Sequence, residues 1–151
     1  MCSVLIELTD ITLSGKQVAA SSVPPFVLDP VLSEEALSTE GLWMINMIKC
    51  WLDEEWMALE VHGPLSRAAG EAYRRLRQEG QNDASALVLD LVAQLQGHDF
   101  QDSFTNEYEV ANKVVELLML RQGCAVCCAS PADLSAIERY QGKLAAKDAE
   151  L

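Results

Sequence analysis

The residues best suited to chemistry form one run, Cys124-Ala125-Val126-Cys127-Cys128. Cys124 and Cys127 have the C-x-x-C spacing that lets two thiolates share a metal ion or close a redox disulfide. Cys128 stands just before Ser130-Pro131-Ala132-Asp133, which has the cap, proline and acid of a helix start. The partial positive charge of such a start stabilises a thiolate. A zinc site needs about four ligands, and the further candidates are Cys2, Cys50, His62 and His98. Cys124, Cys127, Cys128 and His98 make the set for a redox or metal function. Against it, there is no second C-x-x-C, and the adjacent Cys127 and Cys128 cannot easily bind one ion together. Free cysteine also behaves as a small buried hydrophobe, so packing in a helix corner is the preferred reading.

Other constellations are weaker. Asp53-Glu54-Glu55 resembles a carboxylate site, but a di-iron pattern needs Glu-x-x-His pairs, and Glu60 precedes His62 by only two positions. Successive acids on a helix point in different directions, so a solvated face is expected there. His62, beside Gly63-Pro64, has no serine or lone cysteine placed near it and reads as a capping or loop histidine. No P-loop, dinucleotide fingerprint or nucleophile elbow occurs. No catalytic residue and no cofactor is therefore expected.

Arg67, Arg74, Arg75 and Arg77 gather four of the 11 basic residues of the chain into one helical segment. Glu71 and Glu79 dilute them, so a solvated face is the plain reading. The functional one is a docking surface, because guanidinium forks bind carboxylates well.

The chain bounds what these groups can do. Its 151 residues are one domain's worth, half of them hydrophobic and 23% charged, a globular composition. The formal net charge of −12 repels phosphate backbones and anionic membrane surfaces, which excludes general nucleic-acid or membrane binding as the expected role. Glu7 follows an opening without basic residues, and no apolar run reaches the roughly 20 residues of a membrane span. Five cysteines without an export signal read as free thiols in a reducing compartment. A cytoplasmic protein is expected.

Helices must position the candidates. Residues 1–32 read as an extension, with a possible hairpin over Cys2–Leu13 and a proline-rich stretch in which Phe26, Val27 and Leu28 favour docking. Residues 33–151 read as the helical domain. Ser33 with Glu34 and Glu35 starts a short turn that Gly41 ends or sets apart. Leu42 to about Glu60 follows as a helix so apolar between Leu42 and Leu52 that it must be covered all round, by this chain or by a second copy. A bend at His62-Gly63-Pro64 leads into a helix with Leu65, Ala68, Ala69, Ala72, Tyr73 and Leu76 on one face, closed by Gly80. Asn82 or Asp83 caps Ala84–Gln96, whose stripe is Leu87, Val88, Leu91, Val92 and Leu95. Phe100 and Phe104 are expected as core anchors of the next connector. Asn106 and Glu109 resemble a capping box before a helix with Val110, Val114, Leu117, Leu118 and Leu120 inward, stopped by Gly123. A last helix, with Leu134, Ile137 and Leu144, packs peripherally. An all-α class follows, a single bundle of about five or six helices.

Trp51-Leu52-Asp53-Glu54-Glu55-Trp56, with Asp99-Phe100, Phe104 and Glu109-Val110-Ala111-Asn112-Lys113, resembles small helical proteins of cyanobacteria and plastids that have no assigned activity. The resemblance spans about Leu42–Leu120 and implies a photosynthetic lineage and an accessory role; it brings no functional residue. The expected function is a non-enzymatic interaction or assembly-accessory protein with a protein partner or a homodimer. Arg67, Arg74, Arg75 and Arg77 are its contact residues, and the rival is thiol redox or metal binding.

Overall fold

A computed structural model describes residues 26–31, 33–124, 126 and 135–149. Within them are five helices and no strand: α1 (Glu34–Glu55), α2 (His62–Gln78), α3 (Ala84–Leu95), α4 (Glu107–Arg121) and α5 (Ala136–Ala149). The all-α expectation holds. The hairpin expected over Cys2–Leu13 lies outside the described residues.

Helix α1 starts where Ser33 Oγ accepts the amide of Ala36 at 3.1 Å, with Glu34 and Glu35 in the first turn. It runs unbroken through Gly41 and stops at Glu55, so the expected division at Gly41 and extension to Glu60 are both corrected. Across the helix pair a Cβ at Gly41 would make only ordinary contact with Arg74 Cδ at 3.4 Å, whereas one at Gly70 would sit 2.2 Å from Ile45 Cγ1 and 3.1 Å from Gly41 O. Gly70 lets the helix backbones approach. Met44, Met47, Ile48, Trp51 and Leu52 form the buried face, but Leu42 is 64% exposed and Trp43 and Ile45 are half-buried. Among the described residues the helix is covered on one broad face.

Helices α1 and α2 make the largest interface of the bundle, and their ends identify them as an antiparallel pair. Arg74 and Gln78 near the end of α2 reach Glu34 at the start of α1, while His62 at the start of α2 reaches Asp53 near the end of α1. Helix α3 packs on α2 and α4, and α4 returns to α1. All five residues of the α3 stripe are buried, as are Val110, Val114, Leu117 and Leu118 of α4. The caps follow the sequence: Asp83 accepts from Ala86 at 2.8 Å, and Asn106 accepts from Tyr108 and Glu109 at 3.0 and 3.1 Å. Gly80 and Gly123 take positive φ just past the ends of α2 and α4.

Helix α5 covers the C-terminal half of α1 with Ala136 and Tyr140 and, at its edge, Ile137 and Leu144. Arg139 and Lys143 fix it to Glu54 at 2.7 and 2.5 Å. Leu134 lies outside the described residues. At the other end, residues 26–31 dock as expected: Leu28 donates to Asn82 O at 2.7 Å, Ala84 donates to Phe26 O at 2.9 Å, and Leu28 is buried.

Candidate functional site

Seven exposed or half-exposed positions of α1 and α2 frame a groove between these helices. Leu42 and Ile45 of α1 supply its apolar wall beside Ser38, Gly41 and Gly70 its floor, and Glu71, Arg74, Arg75 and Gln78 of α2 its polar wall. The cavity is about 510 Å³, within the usual range for a ligand or side-chain pocket. A Cβ at Gly70 would meet Ile45 across this floor.

The four arginines separate here. Arg67 and Arg75 are exposed, and Arg74 is half-exposed. Arg74 pairs with Glu34 at 3.3 Å, and Arg75 donates to Gln94 at 3.1 Å. Arg77 leaves the set. Its guanidinium is buried, donates to Asn82 Oδ1 at 2.6 Å, and holds the carbonyl of Asp29. It clamps the docked 26–31 segment to the turn between α2 and α3, and it cannot meet a partner. Arg77 is corrected from contact residue to internal fastening.

Beyond the groove lies a polar assembly at the α1–α2 turn. His62 is wholly buried in the first turn of α2. Its Nδ1 donates to Asp53 Oδ1 at 2.8 Å, and Nε2 faces the carbonyl of Ser103 at 3.4 Å. Lys49 donates to the other Asp53 oxygen at 2.5 Å. Burial pushes the Asp53 carboxyl up, but the hydrogen bonds from Lys49 and His62 outweigh it and hold the carboxyl below its ordinary value. A His–Asp pair resembles a general-base dyad, yet both ring nitrogens are committed to fixed oxygens and the ring is closed to solvent. Among the described residues no side chain is positioned to give up a proton to it, and the pair fastens three segments together: the end of α1, the start of α2 and the loop before α4. Sequence reasoning took Asp53 as part of a solvated acidic face and His62 as a loop residue. The pairing spans nine positions across a turn, which no helical spacing reveals.

That loop carries the second correction. Phe100 packs on the core as expected, but Phe104 is exposed and leans on Trp56 with ring centroids 6.0 Å apart. The other two tryptophans serve the interior edge: Lys113 lies over Trp51 and Arg121 over Trp43, at 5.3 and 4.4 Å from the ring centroids.

For the thiol reading, the described residues hold Cys50 and Cys124, both half-buried and free. Cys127 and Cys128 lie outside them. Burial pushes the Cys50 thiol up against the lowering pull of Lys143, the opposite of an activated thiolate. Cys124 Sγ approaches Gln122 O at 4.0 Å, and His98 is exposed just past the end of α3. Among the described residues, no three His, Cys, Asp or Glu side chains gather as a metal site, and no helix is long and apolar enough to cross a membrane.

Residues 26–122 match the model of a family described as a domain of unknown function, DUF8822. The match covers more than half of the chain, which therefore belongs to that family. It takes in the docked segment, α1–α4, the groove and the Trp56–Phe104 contact, and stops before Cys124. No curated protein and no solved structure matches the chain.

Proposed function

We propose that this DUF8822 protein is a non-enzymatic interaction module whose α1–α2 groove receives an acidic, apolar segment of a protein partner. The observation that carries the reading is the groove itself, an apolar wall of Leu42 and Ile45 facing the guanidinium groups of Arg74 and Arg75. Such a wall buries an aliphatic or aromatic anchor, and the arginines opposite take carboxylates through bidentate hydrogen bonds. Arg67 lies on the same face about two turns toward the start of α2, with Glu71 between. A carboxylate arriving at Arg74 would compete with Glu34, which holds it from the solvent side at 3.3 Å in an exposed pair of small intrinsic worth.

The test compares the wild type with R74E/R75E by affinity capture from the native cell and by light scattering of the purified protein. Loss of a stoichiometric partner, or of a homodimer, on charge reversal is the expected result. A wild-type protein that is strictly monomeric, with every captured partner retained by R74E/R75E, overturns the reading. A tightly bound metal in elemental analysis of the native protein would favour the redox or metal alternative at Cys124, Cys127 and Cys128 instead.

A further inference from the structure

The turn after α1 and the loop before α4 together expose an aromatic patch that folding does not explain. Trp56 is 43%, Met57 59% and Phe104 63% exposed, in one contiguous region defined by the Trp56–Phe104 ring contact. Phe104 is presented outward by a backbone that a phenylalanine rarely adopts: its φ is 59°, and that of Asp102 is 64°. Interior polar bonds impose this shape. Ser103 is buried, its hydroxyl donates to Phe100 O at 2.6 Å, and its carbonyl faces His62. Thr105 donates to Glu109 at 2.9 Å, which seats the loop on α4. The protein thus holds an aromatic ring in water on a strained backbone, with the surroundings fixed before any partner arrives.

Charge states what the partner must be. The two segments that meet here, 53–62 and 98–107, contain seven acids and no lysine or arginine. Asp53 is satisfied by Lys49 and His62, and Glu54 by Arg139 and Lys143. The remaining five, Glu55, Glu60, Asp99, Asp102 and Glu107, make no ion pair among the described residues. A second copy would bring the same acids against them, and an anionic lipid surface would be repelled. From this complementarity we infer that the Trp56–Met57–Phe104 patch docks a basic amphipathic segment of a partner protein, one with an apolar anchor flanked by lysine or arginine. The anchor lies against Phe104 and Met57, the flanking cations meet the five acids, and the open faces of Trp56 and Phe104 take a cation directly. This surface is separate from the α1–α2 groove and opposite to it in charge, and its test does not depend on that groove.

The probe is a synthetic amphipathic helix of leucine and lysine, with its leucine–glutamate counterpart as control, titrated by calorimetry into the purified protein. The wild type should bind the lysine helix and not the glutamate helix. F104G removes the ring while keeping a residue that accepts the backbone, so the variant stays folded; it and W56A should each lose roughly tenfold or more in affinity. E55K/D102K should lose at least as much, and R74E/R75E should not weaken binding. The inference is overturned if the wild type does not bind the lysine helix, or if F104G and W56A bind it as the wild type does. It is equally overturned if reversing Glu138 and Asp148 on α5 weakens binding as much as E55K/D102K, because overall charge would then be the cause. Self-association of the wild type that F104G abolishes would assign the patch to a second copy and also refute it.

Discussion

Replacing Gly70 by alanine tests the close α1–α2 approach on which the groove depends. Alanine in a helix interior is ordinarily more favourable than glycine by about 1 kcal/mol. At Gly70 the new methyl would meet Ile45 Cγ1 at 2.2 Å and Cδ1 at 3.2 Å, and the Gly41 carbonyl oxygen at 3.1 Å. The first contact cannot be relieved by a flexible tip, since Cγ1 is attached directly to Cβ and isoleucine in a helix is nearly confined to one χ1 rotamer. Leaving that rotamer costs about 1 kcal/mol, and overpacking with a shift of backbone costs about 1–3 kcal/mol. At the lower end of these ranges the steric terms, about 2 kcal/mol together, exceed the propensity gain for a net destabilisation of about 1 kcal/mol. Gly142 in α5 is the control, because its added methyl meets nothing within 4 Å; there alanine should stabilise by about 1 kcal/mol. In a chain of this size the two variants should melt about 3 °C below and about 3 °C above the wild type. Urea denaturation of G70A, I45A and G70A/I45A then isolates the contact. With Ile45 truncated, alanine at position 70 should become stabilising, a coupling of about 2 kcal/mol. Equal stabilisation by G70A and G142A, or additivity with I45A, would refute the packing argument. Because Ile45 also lines the groove, G70A should push it into the cavity and weaken partner capture in the same preparation.

Two further predictions concern the α1–α2 turn and the loop before α4. The carboxyl of Asp53 titrates below its ordinary value in the folded protein, so the unfolded chain binds its proton more readily; the stabilisation is complete above about pH 4 and is lost as pH falls through the lower folded value. D53N, which cannot carry the charge, should be less stable than the wild type at pH 7 by about 1–3 kcal/mol, with the gap closing toward pH 2 in a series of urea midpoints; a gap of constant size would refute the assignment. At Phe104 the usual order of alanine over glycine should invert, with F104G more stable than F104A by about 1 kcal/mol, because φ is 59° and only glycine adopts it without a Cβ penalty; thermal melts with alanine ahead would show that the loop does not hold this shape.

Where local signals agreed, the chain could be read directly. In α2, α3 and α4 the apolar period, the caps Asp83 and Asn106 and the terminal Gly80 and Gly123 all point the same way, and each helix lies where its signals put it. Gly41 reads as a break because glycine is locally a poor helix residue, yet α1 continues through it with its carbonyl under Gly70 of α2, where a Cβ would come within 3.1 Å, information held by another segment. Arg77 was grouped with Arg67, Arg74 and Arg75 by proximity along the chain. At 100° per residue, ten positions carry it roughly 80° from Arg67, onto the side of Tyr73, so its departure from the exposed face was legible and was missed. Phe104 is different in kind. An aromatic residue reads as core by type, and only the bonds of Ser103 and Thr105 to partners outside the loop turn it outward. Asp53 and His62 are likewise joined by a turn whose geometry no periodicity encodes. The groove was therefore half visible, as an arginine face without its floor, and the aromatic patch was invisible. In both places the residues departed from local expectation in the same way, a glycine inside a helix and a phenylalanine at positive φ. Departures of that kind cost stability and are kept only where packing or binding returns it. Gly70 has its packing reason in Ile45. Among the described residues Phe104 has the ring of Trp56 against it and is otherwise largely exposed, and the basic segment inferred above is what would return the cost of its backbone.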